Sequence, residues 1–183
     1  MKEVEVKLQV EDPERVLMTL KERGFTFRSR SRERNFVYDT PENAIHAAGK
    51  LLRVRELDDE ALLTVKLPAE AGGRHKVREE HEIATSDAPA LHAVLEGLGY
   101  RAAWRYEKVR TEFRREGDPG VVEFDHTPIG DFLELEGEPG WIDRTAAELG
   151  FSADDYITLN YRALFDQARA DGRIETDDMI FES

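Results

Sequence analysis

Four pairs of carboxylates sit two residues apart in segments that read as strands: Glu3/Glu5, Glu80/Glu82, Glu123/Asp125 and Glu134/Glu136. On a strand, residues i and i+2 point to one face about 7 Å apart. At an effective dielectric near 20, two such charges repel by about 2 kcal/mol. Neighbouring arginines and lysines can neutralise some of them. A hard divalent cation would neutralise the rest, and oxygen-only ligands favour Mg²⁺ or Mn²⁺ over zinc. A basic set at similar spacing, Lys7, Arg53, Arg55, Lys66, Arg78, Lys108 and Arg110, is too large for internal pairing alone. It suits a polyanion with several phosphates, held by arginine forks and lysine point charges.

The elements that would carry these side chains are mostly strands. "KEVEVKLQV" alternates charged or polar with apolar residues, as a half-buried strand does. Asp12 and Pro13 then open a helix with a Val16/Leu17/Leu20 stripe, and Gly24 closes it. "FTFRSRSRERNFVYDT" is a long extended stretch with Arg28, Arg30, Arg32 and Arg34 on one face. A turn with a short helix, "PENAIHAAG", leads to strands "KLLRVRE", "EALLTVKLP" and "RHKVREEHEI". Ser86 is expected to cap a helix bearing Leu91, Val94, Leu95 and Leu98, closed by Gly99. Strands "AWRYEKVRTEFRR", "GVVEFD" and "GDFLELEGE" follow, then two helices near 141–149 and 153–170. The count is eight strands with short connections, so the sheet is expected to be antiparallel. The expected class is α+β: an eight-stranded antiparallel β-barrel, a tunnel, with helices packed outside.

The charged faces could point either way. If they pointed out, Val4, Val6, Leu52, Val54, Leu63, Val65, Leu133 and Leu135 would fill the interior, and the amphipathic helices would have little to cover. If they point in, the helices bury the outer apolar face and the lumen is polar; the helix stripes favour this case.

Composition bounds the rest. A chain of 183 residues suits one domain, here 1–172, followed by an acidic tail over 173–183 expected to be loose. There is no cysteine, hence no disulfide or thiolate chemistry. The net charge of −13 opposes general nucleic-acid binding, and the whole imbalance lies in residues 117–183. No apolar run reaches the roughly 18–20 residues of a membrane span, and the N-terminus is too charged for a signal peptide. A cytoplasmic protein with no nucleic-acid or membrane partner is expected, with a homodimer left open.

"EVEVK" resembles the E-x-E-x-K signature of the CYTH superfamily, the triphosphate tunnel metalloenzymes, which includes class IV adenylate cyclases, thiamine triphosphatases and inorganic triphosphatases. The likeness continues in order through "VYDTPENAIHAAGKLLRVRE", "LTVKLP", "VREEHE", "EKVR", "GDFLELEG" and "NYRALF". The resemblance implies an eight-stranded tunnel binding a small-molecule triphosphate with Mg²⁺ or Mn²⁺. By matched position it makes Glu3, Glu5, Glu134 and Glu136 metal ligands. Lys7, Arg53, Arg55, Lys66, Arg78, Lys108 and Arg110 would hold phosphates. Lys7, Glu80 and Glu82 form the implied catalytic set, the two glutamates ordering the basic residues or binding metal indirectly. Val37 and Asn160 depart from the family pattern, which often has tyrosine and serine there.

Three functions follow. The first is metal-dependent hydrolysis of tripolyphosphate, thiamine triphosphate or a nucleoside triphosphate. The second is cyclisation of ATP to cyclic AMP and pyrophosphate, and the third is polyphosphate or nucleotide binding without catalysis. Hydrolysis is preferred, because it needs no adenosine pocket. Other features read as structural. Arg28, Arg30, Arg32, Arg34, Glu22, Arg23, Asp59 and Glu60 are solvated charges, and the five histidines lack zinc spacing and are expected to be exposed. Trp104, Trp141, Leu91, Val94, Leu95 and Leu98 are packing residues, and "AGGRHK" lacks the phosphate-loop pattern.

Overall fold

A computed structural model describes residues 2–58 and 60–182; Asp59, expected as a surface charge, lies outside them. The chain runs β1 (Lys2–Val10), α1 (Pro13–Glu22), β2 (Thr26–Asp39), α2 (Ala44–Ala47), β3 (Leu51–Glu56), β4 (Ala61–Lys66) and β5 (Lys76–Thr85). It continues with α3 (Ala88–Gly97), β6 (Arg101–Arg114), β7 (Val121–Thr127), β8 (Gly130–Glu136), α4 (Pro139–Glu148) and α5 (Tyr161–Ala170). The eight strands pair in the order β1-β5-β4-β3-β2-β6-β7-β8, every pairing is antiparallel, and β8 returns to β1. The hydrogen-bonded ring therefore closes, with helices on its outer side.

The apolar faces of the strands point outward, under the helices. Val6, Leu8, Val10, Leu133 and Leu135 pack with Val16 and Leu20 of α1 and Trp141, Ile142 and Ala146 of α4. Tyr38, Leu52, Val54 and Ala61 pack with Leu95 of α3. Helix α1 forms here because Asp12 Oδ1 accepts the Arg15 amide at 3.0 Å and Pro13 presets the first turn. A Cβ on Gly120 would collide with the Trp141 ring, so only glycine lets α4 lie this close to β7.

Four local expectations are corrected. Asp87, not Ser86, caps α3, its Oδ1 accepting the Ala90 amide at 2.9 Å. Only Leu95 of the α3 stripe is buried; Leu91 packs partly buried beside it, and Val94 and Leu98 are exposed, because α3 turns Ala88, Leu91 and Leu95 to the sheet. The expected helix over 153–170 is a 3-10 turn at Ala153–Asp155 and then α5 from Tyr161, because Ile157 pairs with Lys7 of β1 in between. The C-terminal segment is not loose. Met179 is fully buried and pairs in parallel with Tyr106, and the Asp178 carboxylate accepts from the Arg105 amide and guanidinium, both at 2.8 Å. It covers the part of β6 that extends past the end of its β7 pairing at Val109.

Candidate functional site

The interior of the ring is a cavity of about 1180 Å³, and all thirteen site residues expected from the sequence line it. Six of the eight strands supply them. β1 supplies Glu3, Glu5 and Lys7, β3 Arg53 and Arg55, β4 Lys66, β5 Arg78, Glu80 and Glu82, β6 Lys108 and Arg110, and β8 Glu134 and Glu136. The register places Glu3 opposite Arg78, Glu5 opposite both Lys76 and Glu136, and Lys7 opposite Glu134.

Most of these charges are paired. Lys66 Nζ lies 2.7 Å from Glu3 and 2.8 Å from Glu80, Lys76 Nζ donates to Glu5 at 2.5 Å, and Lys7 Nζ donates to Glu134 at 2.5 Å. Arg110 donates to Asp125 and Glu134 at 2.6 Å and also pairs with Glu123. Lys108 donates to Asp125 at 2.8 Å. Arg53 and Arg78 are different. Arg53 donates to the neutral Tyr106 and Thr64 hydroxyl oxygens at 3.2 Å, and its nearest carboxylates, Glu82 and Glu80, are 3.9 and 4.0 Å away. Among the described residues Arg78 pairs only with Glu3, at 3.9 Å. Both Nε groups are buried without a hydrogen-bond partner. Buried donors left open cost about 1–3 kcal/mol each, and an incoming anion removes that cost.

The acids carry a surplus of negative charge where β1, β5 and β8 meet. Burial and repulsion by Glu5 push the Glu3 carboxyl up to about 7. Burial and the same neighbour raise Glu136, which has no salt-bridge partner among the described residues. Burial, with repulsion from Glu134, pushes Glu123 up to about 7 despite Arg110. Glu5 is held down at about 2, because Lys76 and Lys7 outweigh its burial. Lys7 is raised, since Glu134 and Glu5 outweigh burial, and so stays a cation.

No three acids or histidines among the described residues already converge at metal-binding distance. The donor chemistry nonetheless fits a hard divalent cation. Glu5 and Glu136 face each other, Glu136 lacks a counter-charge, and Glu3 and Glu134 flank them on the same strands.

Sequence reading gave no site role to several groups in or behind the cavity wall, among them Asp125, which it singled out only as a member of one of the carboxylate pairs. Lys76 lines the cavity beside Glu5. Asp125 is fully buried and accepts from Lys108, Arg110 and, at 2.7 Å, the Tyr161 hydroxyl. Tyr161 lies under Lys7, whose Nζ is 4.4 Å from its ring centre. Glu33 and Asn35 are buried behind Arg55. The signal was present: if Arg28, Arg30, Arg32 and Arg34 are solvated, as they are, then Glu33 and Asn35 must face inward. Asn160, where the family often has serine, still caps α5, its Oδ1 accepting the Ala163 amide at 2.9 Å. Val37 lines the cavity. Two histidines expected to be exposed are engaged outside the ring. His75 contacts Asp143 at 2.8 Å, and His92 bridges Tyr38 at 2.6 Å and Glu56 at 2.9 Å.

A family model described as the CYTH domain matches residues 1–152. A Methanocaldococcus jannaschii protein named as a candidate adenylate cyclase is 27% identical over 136 residues, 74% of this chain and 77% of its own length. A solved Vibrio parahaemolyticus structure, also named as a candidate adenylate cyclase, has TM-score 0.78 at 21% identity, over 90% of this chain and 97% of its own. A Hippeastrum protein, described as a candidate adenylyl cyclase with a dominant triphosphatase activity, has TM-score 0.66 at 18% identity, over 91% and 96%. At these identities the two solved structures establish a shared fold.

Proposed function

The chain belongs to the CYTH domain family, and from that premise we propose that it hydrolyses a triphosphate inside the ring with the help of Mg²⁺ or Mn²⁺. The observation that carries this reading is the pair Arg53 and Arg78, buried guanidinium groups with no carboxylate of the described residues nearer than 3.9 Å, in a cavity also lined by Glu3, Glu5, Glu134 and Glu136. Such a cavity offers unspent positive charge to phosphate and surplus negative charge to a metal.

Arg53 and Arg78 anchor the phosphate chain, with Lys66 beside them. Lys7, held protonated by Glu134, offers positive charge to a phosphoryl oxygen and does not serve as a base. Glu80 and Glu82 order the basic side: Glu80 holds Lys66, and Glu82 accepts the Thr64 hydroxyl at 2.7 Å while Thr64 accepts from Arg53. Glu3, Glu5, Glu134 and Glu136 would hold the metal. When bound, a divalent ion neutralises phosphate charge and lowers the pKa of a coordinated water. The lowered dielectric between the walls of the ring would strengthen each of these interactions. The Hippeastrum protein's described activity supports hydrolysis on this fold.

A cyclase is the second reading. The same cavity is also lined by Val37, Trp104, Asn43, His46 and Arg162, a set that would offer an aromatic face and hydrogen-bonding groups to a nucleoside. Two relatives are named as candidate cyclases. One assay separates the readings. The protein is incubated with ATP, tripolyphosphate or thiamine triphosphate plus Mg²⁺ or Mn²⁺, and orthophosphate, pyrophosphate and cyclic AMP are measured together. Orthophosphate release supports hydrolysis, and cyclic AMP with pyrophosphate overturns it. Binding without any product leaves a polyphosphate or nucleotide binder.

A further inference from the structure

Lys76 lines the cavity but has no part in the reaction proposed above. It is the first residue of β5 and lies opposite Glu5 in the register. Its Nζ is 2.5 Å from Glu5 Oε1, its side chain is 10% exposed, and it pairs with no other carboxylate among the described residues. Glu5 also faces Glu136, which has no salt-bridge partner among the described residues. Two facing carboxylates thus have one ammonium beside them, at the place where a divalent cation would bring two charges. The backbone that carries Lys76 is fixed from outside the ring. Arg74 and His75, just before it, both contact Asp143 of α4, at 2.9 and 2.8 Å. The flexible lysine stem can therefore change partners while the strand stays in place.

We infer that Lys76 is a resident counter-ion of Glu5, with which a divalent cation must compete for that carboxylate. The inference rests on the metal-assisted reading above and adds to it a residue that sets how tightly the ion is held. An ion that takes Glu5 gains a carboxylate but leaves the Lys76 ammonium without its partner, so a bare ion binds weakly. An ion that arrives with its phosphates brings anionic oxygens, to which the displaced ammonium can turn. Lys76 thereby favours the metal together with its polyanion over the metal alone.

The test is Mn²⁺ binding in the absence of any triphosphate, measured by calorimetry. Lys76→Met removes the ammonium and keeps the stem. It should bind Mn²⁺ at least about 10-fold more tightly than the wild type. Lys76→Arg keeps a cation at Glu5 and should stay within about 3-fold of the wild type. Lys2→Met takes the same charge from the same cavity, but Lys2 pairs with Glu70 and is largely exposed, so this variant should also stay within about 3-fold. A structural role for Lys76 predicts equal or weaker binding by Lys76→Met, and that result overturns the inference alone. Tightening by Lys2→Met as large as by Lys76→Met also overturns it, because a general change of charge would then suffice. If Mn²⁺ binds neither the wild type nor Lys76→Met, the inference and the metal-assisted reading fall together. Should Lys76→Met not fold, the wild type carries the test. Amine labelling of Lys76, read by mass spectrometry, should rise as added Mn²⁺ frees the side chain from Glu5; unchanged or reduced labelling overturns the inference.

Discussion

Arg53 and Arg110 both point into the lumen, yet their surroundings give them different work. Arg110 is enclosed by Asp125, Glu123 and Glu134, while Arg53 has only neutral oxygens at hydrogen-bond distance. Charge-assisted contacts are worth about 1.5–3 kcal/mol each, so Arg53→Met should weaken tripolyphosphate binding by about 10- to 150-fold. Arg32→Ala, on the exposed outer face of the same wall, should leave the affinity unchanged, which calorimetry on the pair would check. The sequence made both arginines equally visible, since both recur on a strand face. It could not rank them, because the carboxylates that distinguish them come from β5, β7 and β8, far along the chain. Glu33 was overlooked for a related reason. Among alternating arginines it looked like one more solvated charge, and only the direction of the face shows that it is buried.

At the scale of elements, the strands were legible almost to their ends, because alternation of charged and apolar residues is a strong local signal. The face choice followed from the helices: α1 and α4 need an apolar surface, and the outer sides of β1 and β8 supply it. The segments after β8 were harder to read. Tyr156–Asn160 has helix-compatible residues but spends its backbone on β1, Lys7 and Ile157 exchanging hydrogen bonds at 3.1 and 2.8 Å. The acidic tail looks solvent-borne by composition, yet it places Met179 among Trp104, Tyr106, Tyr161 and Phe165. Composition cannot register a contact whose partner is a strand with an open edge. Met179→Ala should therefore cost about 2–5 kcal/mol in a denaturant titration, as a fully buried side chain in a core does. It should also weaken tripolyphosphate binding, because Met179 pairs with Tyr106 and shares a buried cluster with Tyr161, and these two tyrosines contact Arg53 and Asp125.

For the whole molecule, the ionised interior ties stability to pH. A carboxyl whose folded pKa is depressed stabilises the fold above its unfolded pKa, and that contribution disappears as pH falls through the folded value. Glu33 drops from 4.5 to about 2 on folding. Its share, at most about 3 kcal/mol, is present at neutral pH and should be lost between about pH 4.5 and pH 2. Urea titrations across that range should show a shallower pH slope for Glu33→Gln than for the wild type; equal slopes would remove Glu33 from the account. No helix among the described residues is long and apolar enough to cross a membrane.

The ring closes by joining β1 to β8, and this has a consequence for how the protein is made. Glu5 meets Glu136 and Lys7 meets Glu134 across that seam, so residues at the start of the chain wait for partners more than a hundred positions later. At ribosomal speeds of about 5–20 residues per second, the first strand is left unmatched on this edge for on the order of ten seconds. The acid side of the site is thus complete only once β8 has been made, and the charged face of β1 becomes an asset in the interval. A first strand bearing Glu3, Glu5 and Lys7 on one side is poorly suited to sticking to a neighbouring chain while it waits.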